Sequence, residues 1–287
     1  MHLSLYRYKI DFSVKQPYTF SGFLGSKIRG AFGDFMLKTD EPLFDLFYKP
    51  QLPKNHIAYA IVGDYVPKPF VIYPYPMPKN LEMGDIISFE IVLFGDYHKY
   101  FDRLLHVFEQ MAEQGMGNNT FKADFVGMCR IPSNWSEEVE HRLTDYKTIK
   151  IPDESYFRLY LKSPTKLLEN KLLSADFSFF NIYKKLHWRI QLLASIYGRN
   201  EEPIIELKKE DFKKWPQLSQ INVKVKNTNR NPNNKEAYSA DGYVGGIIYT
   251  KPLQEFIAYL AFGQYLHLGS DTSFGFGRYE LTVYENQ

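Results

Sequence analysis

The apolar pattern of this chain changes period in the same order twice, and few folds accommodate that. Residues 3–12 (LSLYRYKIDF) alternate apolar with polar, the mark of a half-buried strand. Residues 20–38 then set Phe20, Leu24, Ile28, Phe32 and Phe35 at helical spacing. Strands are predicted over 57–75 and 86–95, with proline-bearing loops around them. A second helix over 97–114 carries Phe101, Leu104, Leu105, Phe108 and Met111 on one side, stops at Gly115, and leads into a strand, FKADFVGMCRI. After a polar stretch over 132–154 the order returns. It runs through the strand YFRLYLKSPTKLL, a helix over 177–198, strands over 221–230 and 243–251, a helix over 253–269 and a last strand, GRYELTVYE.

Each half therefore reads β-α-β-β-α-β, the split-βαβ order of ferredoxin-like and RRM-like domains. The expectation is an α+β protein of two tandem ferredoxin-like domains, 1–148 and 149–287, the second holding a glycine-rich loop. An unrelated α+β protein with a coincidental order is the other reading, and the fold by itself does not decide function.

Lys plus Arg number 35 against 33 Asp plus Glu, so any basic surface has to be local. The aromatic share of 17% exceeds what stacking on bases would use, and most of it is expected in the core. The single cysteine, Cys129, excludes an intramolecular disulfide framework and thiolate-rich metal sites. The start, MHLSLYRYKIDF, has no apolar h-region, and polar residues interrupt every apolar run before bilayer length. The expectation is a soluble cytoplasmic protein with no membrane contact.

No HExxH, GxxxxGKS/T or GxSxG appears, and no GxGxxG opens a helix after a strand. The seven histidines are scattered and the carboxylates form no DxD-like cluster, so neither a metal nor a cofactor is expected.

Three segments remain. In LHLGSDTSFGFGRYEL (266–281), Gly269, Gly275 and Gly277 permit positive φ, while Ser270, Thr272 and Ser273 supply short donors. Such a loop can cradle a phosphate, with Arg278 just beyond it, or it can be a plain helix-to-strand turn. In GSKIRGAFG (25–33), Lys27 and Arg29 lie on one helix, either as a solvated face or as phosphate contacts. Residues 205–235 hold Lys224, Lys226 and Arg230 among other cations. They form either a soluble hairpin tip or a basic strand tracking a nucleic-acid backbone. His267, at the end of a helix, sits where the helix dipole favours a protonated ring.

The ending H-x-G-x-x-T-x-F-G-x-G-x, residues 267–278, resembles that of the CRISPR-associated precursor-crRNA processing endoribonucleases, the Cas-six branch of the RAMP superfamily. AYSADGYVGGIIY resembles the tyrosine-serine segment of that family, and FSGFLGSKIRGAFGDFM its glycine-rich first helix. DIISFEIVLFGDYHKYF followed by GMG is similar to its first-half strand, helix and loop. The resemblance implies a tandem ferredoxin-like protein that binds CRISPR repeat RNA and cuts precursor crRNA within each repeat. It implies no metal: the 2′-hydroxyl attacks the adjacent phosphate, giving a 2′,3′-cyclic phosphate and a 5′-hydroxyl.

On that basis Lys27 and Arg29 are expected to stabilise the phosphorane, His267 to carry a proton and Tyr238 to orient the RNA. Gly269, Ser270, Thr272, Ser273, Gly275, Gly277, Arg278, Lys224, Lys226 and Arg230 are expected to bind it. CRISPR effector or adaptation proteins are possible partners, and the chain is expected as a monomer or homodimer. The sequence departs from the family in carrying Ser270 where many members have Lys, and Ala237 where many have Arg before the tyrosine-serine pair. It also has no histidine between Phe20 and Lys54, on or just after the first helix, where the family's proton carrier often stands. A non-cleaving RNA-binding RAMP subunit is the nearest alternative. A small-molecule enzyme on the same fold is the more distant one.

Overall fold

The computed structural model describes residues 2–20, 22–115, 121–131, 140–151, 156–199, 203–212, 214–226, 241–250 and 254–284. They fall into two units, one built on Leu5–His141 and the other on Arg142–Asn229 and Tyr238–Gln287 with Met1–Ser4.

The first unit runs β1 (Ser4–Val14), α1 (Leu24–Thr39), α2 (Glu41–Tyr48), β2 (Phe70–Pro74), β3 (Ile86–Phe94), α3 (Phe101–Gln114) and β4 (Ala123–Arg130). The sheet order is β2-β3-β1-β4, with antiparallel neighbours throughout. Alternation along β1 turns Tyr8, Ile10, Phe12 and Val14 into the core, where they meet Ile28, Phe32 and Phe35 of α1 and Leu104 and Phe108 of α3. Phe32 stacks on Phe108 with ring centroids 5.0 Å apart. Each such buried side chain contributes about 1.5–3 kcal/mol. On the opposite face of the sheet, Glu90 is 1% exposed and takes a two-pronged ion pair from Arg7, Nε to Oε1 at 2.6 Å.

The second unit runs β5 (Tyr156–Thr165), α4 (Phe179–Tyr197), β6 (Gln217–Lys226), β7 (Gly242–Thr250), α5 (Gln254–Leu266) and β8 (Tyr279–Tyr284), with sheet order β6-β7-β5-β8. In both sheets the fourth strand of the unit lies beside its first, and its third beside its second. This is the ferredoxin-like permutation, and it occurs twice. Phe157, Leu159 and Leu161 of β5 and Ile247 and Tyr249 of β7 face the buried side of α4 and α5.

The sequence expectations fail locally, each for a physical reason. The first helix begins at Leu24, and Phe20 instead sits in an aromatic cluster with Tyr18 (4.8 Å) and Phe121 (5.3 Å). Helix α2 was not expected. Asp40 caps it by accepting the Leu43 N–H at 3.1 Å, and Pro42 stands in its first turn. The predicted strand 57–75 contains a helical turn, Tyr59–Val62, and becomes strand only at Phe70. Gly63 at φ +54 and the prolines Pro67 and Pro69 break it. The helix expected to reach residue 269 ends at Leu266, because His267 turns to φ +65.

Candidate nucleic-acid interface

The side of the second sheet away from α4 and α5 is written by the alternation of β5. Phe157, Leu159 and Leu161 go inward, so Tyr156, Arg158, Tyr160 and Lys162 go outward. Register extends that face sideways. Tyr160 lies between Gly246 and Glu280, Arg158 between Ile248 and Thr282, and Tyr156 between Thr250 and Tyr284. Tyr156 and Tyr284 stack at 4.9 Å. The Arg158 guanidinium lies over the Tyr160 ring at 5.5 Å and the Tyr284 ring at 5.7 Å, and Lys162 over Tyr160 at 5.2 Å. Lys162 also pairs with Glu280 at 2.7 Å.

This face opens into a groove of 960 Å³ whose cations are Arg158, Lys162, Lys224 and Lys226. The groove stays open beside Tyr160 because Gly246 carries no side chain there. Gly245 is required for a different reason: at φ +128, a Cβ would fall 2.2 Å from the Asn222 carbonyl oxygen. Lys224 and Lys226 stand exposed on β6. Arg158, Tyr160 and Lys162 were not singled out from the sequence, since an alternating strand with cations outward looks like any solvated sheet face.

The glycine loop follows α5. His267, Gly269, Asp271, Gly275 and Gly277 all have positive φ. The loop folds back on the end of β5. Leu268 N–H donates to Gly277 O (2.8 Å), Ser270 N–H to Lys166 O (3.1 Å) and Gly277 N–H to Pro164 O (2.9 Å). Arg278 N–H donates to Ser163 Oγ at 2.9 Å. An ion pair between Lys166 and Asp271, 2.9 Å and largely shielded, fastens it further. A Cβ on Gly269 would lie 2.2 Å from Lys166 O, and one on Gly277 1.9 Å from Leu268 O.

These facts revise the phosphate-cradle expectation. Thr272, Gly275 and Gly277 are buried, and the donors of Leu268, Ser270, Gly277 and Arg278 are already engaged. Gly277 therefore serves close backbone contact, and Gly275 a left-handed turn at φ +89. Gly269, Ser270, Ser273 and Arg278 remain half-exposed. The Arg278 guanidinium donates to the Gln264 carbonyl near the C-terminus of α5 and lies over the Tyr265 ring at 5.1 Å.

His267 is corrected as well. It is fully buried, with Nδ1 2.9 Å from Phe276 O. Burial above all, and then the charges of Arg278 and Arg189, hold its pKa well below the usual histidine value. The neutral ring belongs to the loop's interior, and a sealed side chain cannot relay protons to RNA. The protonation expected from the helix terminus loses to desolvation.

Lys27 and Arg29 are separated by the helix that carries both, since two residues turn a helix by about 200°. Lys27 lies over the Phe20 ring at 5.8 Å, whereas Arg29 lies over the Tyr48 ring at 5.1 Å. They do not converge on one phosphate. Arg29 is instead grouped with Lys68, whose ammonium donates to the Tyr48 carbonyl and whose pKa is lowered by burial and then by the Arg29 charge. Thirty-nine positions apart, that pairing has no signature in the sequence. Tyr238 and Arg230 lie outside the described residues. Lys27 and Arg29 belong to the first unit, the loop and the groove to the second.

Among the described residues, no three His, Cys, Asp or Glu side chains are grouped to hold a metal, and no helix is long and apolar enough to cross a membrane. Residues 159–279, which contain most of β5, all of β6 and β7 and the glycine loop, match the family model of the CRISPR-associated endoribonuclease Cas6. A further model, described as an N-terminal domain, matches residues 3–145. The second half of the chain carries a Cas6-family domain.

Structural similarity to Cas6 proteins runs the length of the molecule. A Cas6 product complex shares 15% identity, covers 97% of this chain and 99% of its own, and gives a TM-score of 0.59. Cas6 of Thermus thermophilus shares 11%, with 98% and 100% covered and a TM-score of 0.59. A partial Cas6-RT-Cas1–Cas2 complex shares 11%, with 99% of this chain and 46% of that one covered, at 0.64. At such identities the likeness is one of fold. No curated protein matches the sequence significantly.

Proposed function

We propose that this protein binds CRISPR repeat RNA and cuts precursor crRNA within each repeat without a metal ion, acting in the cytoplasm. The observation that carries the reading is the outward face of β5. Its cations and tyrosines alternate over an open groove, and Tyr160 and Lys162 lie within the part of the chain that matches the Cas6 model. Cations neutralise phosphates, and the tyrosine faces stack unpaired bases.

In the reaction, the 2′-oxygen attacks the neighbouring phosphorus and the bond to the 5′-oxygen breaks. One proton leaves the 2′-hydroxyl and one reaches the departing 5′-oxygen. The products are a 2′,3′-cyclic phosphate and a 5′-hydroxyl. This needs in-line placement and cations near the phosphorane. Arg29 with Lys68 supplies one cationic point and Lys27 a separate one. Tyr238 remains the proposed orienting group and Arg230 a proposed RNA contact. His267 acts by holding the glycine loop.

End-labelled repeat RNA incubated with the protein in EDTA tests the reading. One cut that a 2′-deoxy substitution at the cut site abolishes is expected. A cut that survives the substitution would overturn it. Binding with no cut at all would make the chain a guide-RNA holder. The Cas6-RT-Cas1–Cas2 complex suggests adaptation proteins as partners, testable by co-purification with a reverse transcriptase–Cas1 chain.

A further inference from the structure

The first unit holds a second groove, of 630 Å³, between α1 and the end of its sheet. Lys27, Gly30, Asp34 and Lys38 line it from α1, recurring every three or four residues and hence on one helix face, with Ser26 beside them. Tyr18 and Phe20 line it from before the helix, both half-exposed, and Phe121 from the sheet side. The volume lies in the range that holds a drug-sized group.

Three properties select the occupant. The rings of Tyr18 and Phe20, 4.8 Å apart, offer flat apolar surface at the mouth rather than in the core. Lys27 and Lys38 stand eleven residues apart, about 16 Å along the helix axis, with Asp34 the one acid among the lining residues. The Ser26 hydroxyl, shielded from solvent, makes no hydrogen bond among the described residues. Flat rings, two spaced cations and a waiting hydroxyl suit a chain that alternates aromatic bases with phosphates.

We infer that this groove takes an unstacked nucleotide of the bound RNA, its base against Phe20 and its phosphate near Lys27, with Lys38 placed for a phosphate two or three nucleotides along the strand. The site is separate from the β5 face and rests on the RNA-binding reading above. It explains why Lys27 diverges from Arg29: each serves a different stretch of backbone.

Gly30 supplies the test. A Cβ there meets nothing within 4 Å, so alanine adds no collision and a longer side chain starts out into open space, and every residue but proline improves a helix interior over glycine. Gly30→Leu fills the groove; Gly30→Ala does not. Affinity for single-stranded repeat RNA, measured by fluorescence anisotropy at one fixed salt concentration, should fall about tenfold in Gly30→Leu and stay unchanged in Gly30→Ala. Both should melt no lower than the parent. Phe20→Leu, which keeps an apolar side chain but loses the flat ring, should also lose about tenfold, the size of one stacked base. If the parent binds RNA while Gly30→Leu and Phe20→Leu bind equally well, this site is removed and the proposed function stands. If the parent binds no RNA, both fall together.

Discussion

Gly277 and Gly30 share a side chain of one hydrogen and differ in what a methyl group would meet. At Gly277, φ is +78 and the Leu268 carbonyl oxygen stands 1.9 Å from the Cβ position; at Gly30 the space is open. Gly277→Ala should therefore destabilise the protein by roughly 1–3 kcal/mol from backbone strain alone, with the clash added. Gly30→Ala should stabilise it by about 1 kcal/mol. Urea midpoints for the two variants check both signs, and a Gly277→Ala midpoint equal to the parent's would refute the loop geometry. His267 makes a second residue-scale prediction. The unfolded chain takes up its proton near about pH 6.5, while the folded ring, depressed by burial and by Arg278 and Arg189, resists until far lower pH. The unfolded state then binds more protons across that window, so stability is complete above it and is lost as pH falls. His187 is depressed in the same direction, so the comparison has to be with His267→Asn, a residue that tolerates positive φ. The variant should lose less stability between neutral and mildly acidic pH; an identical slope would refute the assignment.

At the scale of elements, β5 separates stability from binding by parity. Leu159→Ala, on the inward side, should cost about 2–5 kcal/mol of stability. Arg158→Ala and Lys162→Ala, on the outward side, should leave stability nearly unchanged. Each should flatten the dependence of log affinity on log salt by about 0.7. Tyr160→Ala should cost roughly 1–3 kcal/mol of binding with little change in that slope. Titrations of repeat RNA at several salt concentrations separate these outcomes, and unchanged slopes in both cation variants would remove the groove. This element also shows how much of the site was legible. The strand was readable from its alternation, and Lys224 and Lys226 from their local charge. The importance of Arg158 and Tyr160 was not, because it comes from register: Gly246 on one side and Tyr284 on the other are set by pairings more than eighty residues away. The glycine loop misled for a similar reason. Its donors end on Pro164, Lys166 and Ser163, about a hundred positions upstream, and no local pattern announces that. The divergence of Lys27 from Arg29 was available from helix geometry alone.

For the molecule as a whole, the doubled β-α-β-β-α-β order was legible because a change of apolar period survives any detail of packing. Both sheets realise the permutation that order implies. What escaped notice were insertions that leave the permutation intact: α2, capped by Asp40, and the helical turn at Tyr59–Val62. The fold follows from the whole chain and the Cas6 match from residues 159–279, while the proposed chemistry turns on how the RNA backbone is broken. The chemical ends of the two fragments test that most directly. After incubation of repeat RNA with the protein in EDTA, mass spectrometry should show a 2′,3′-cyclic phosphate on the upstream fragment and a 5′-hydroxyl on the downstream one. A 3′-hydroxyl facing a 5′-phosphate would mean that water, not the neighbouring 2′-oxygen, is the nucleophile, and would contradict the account.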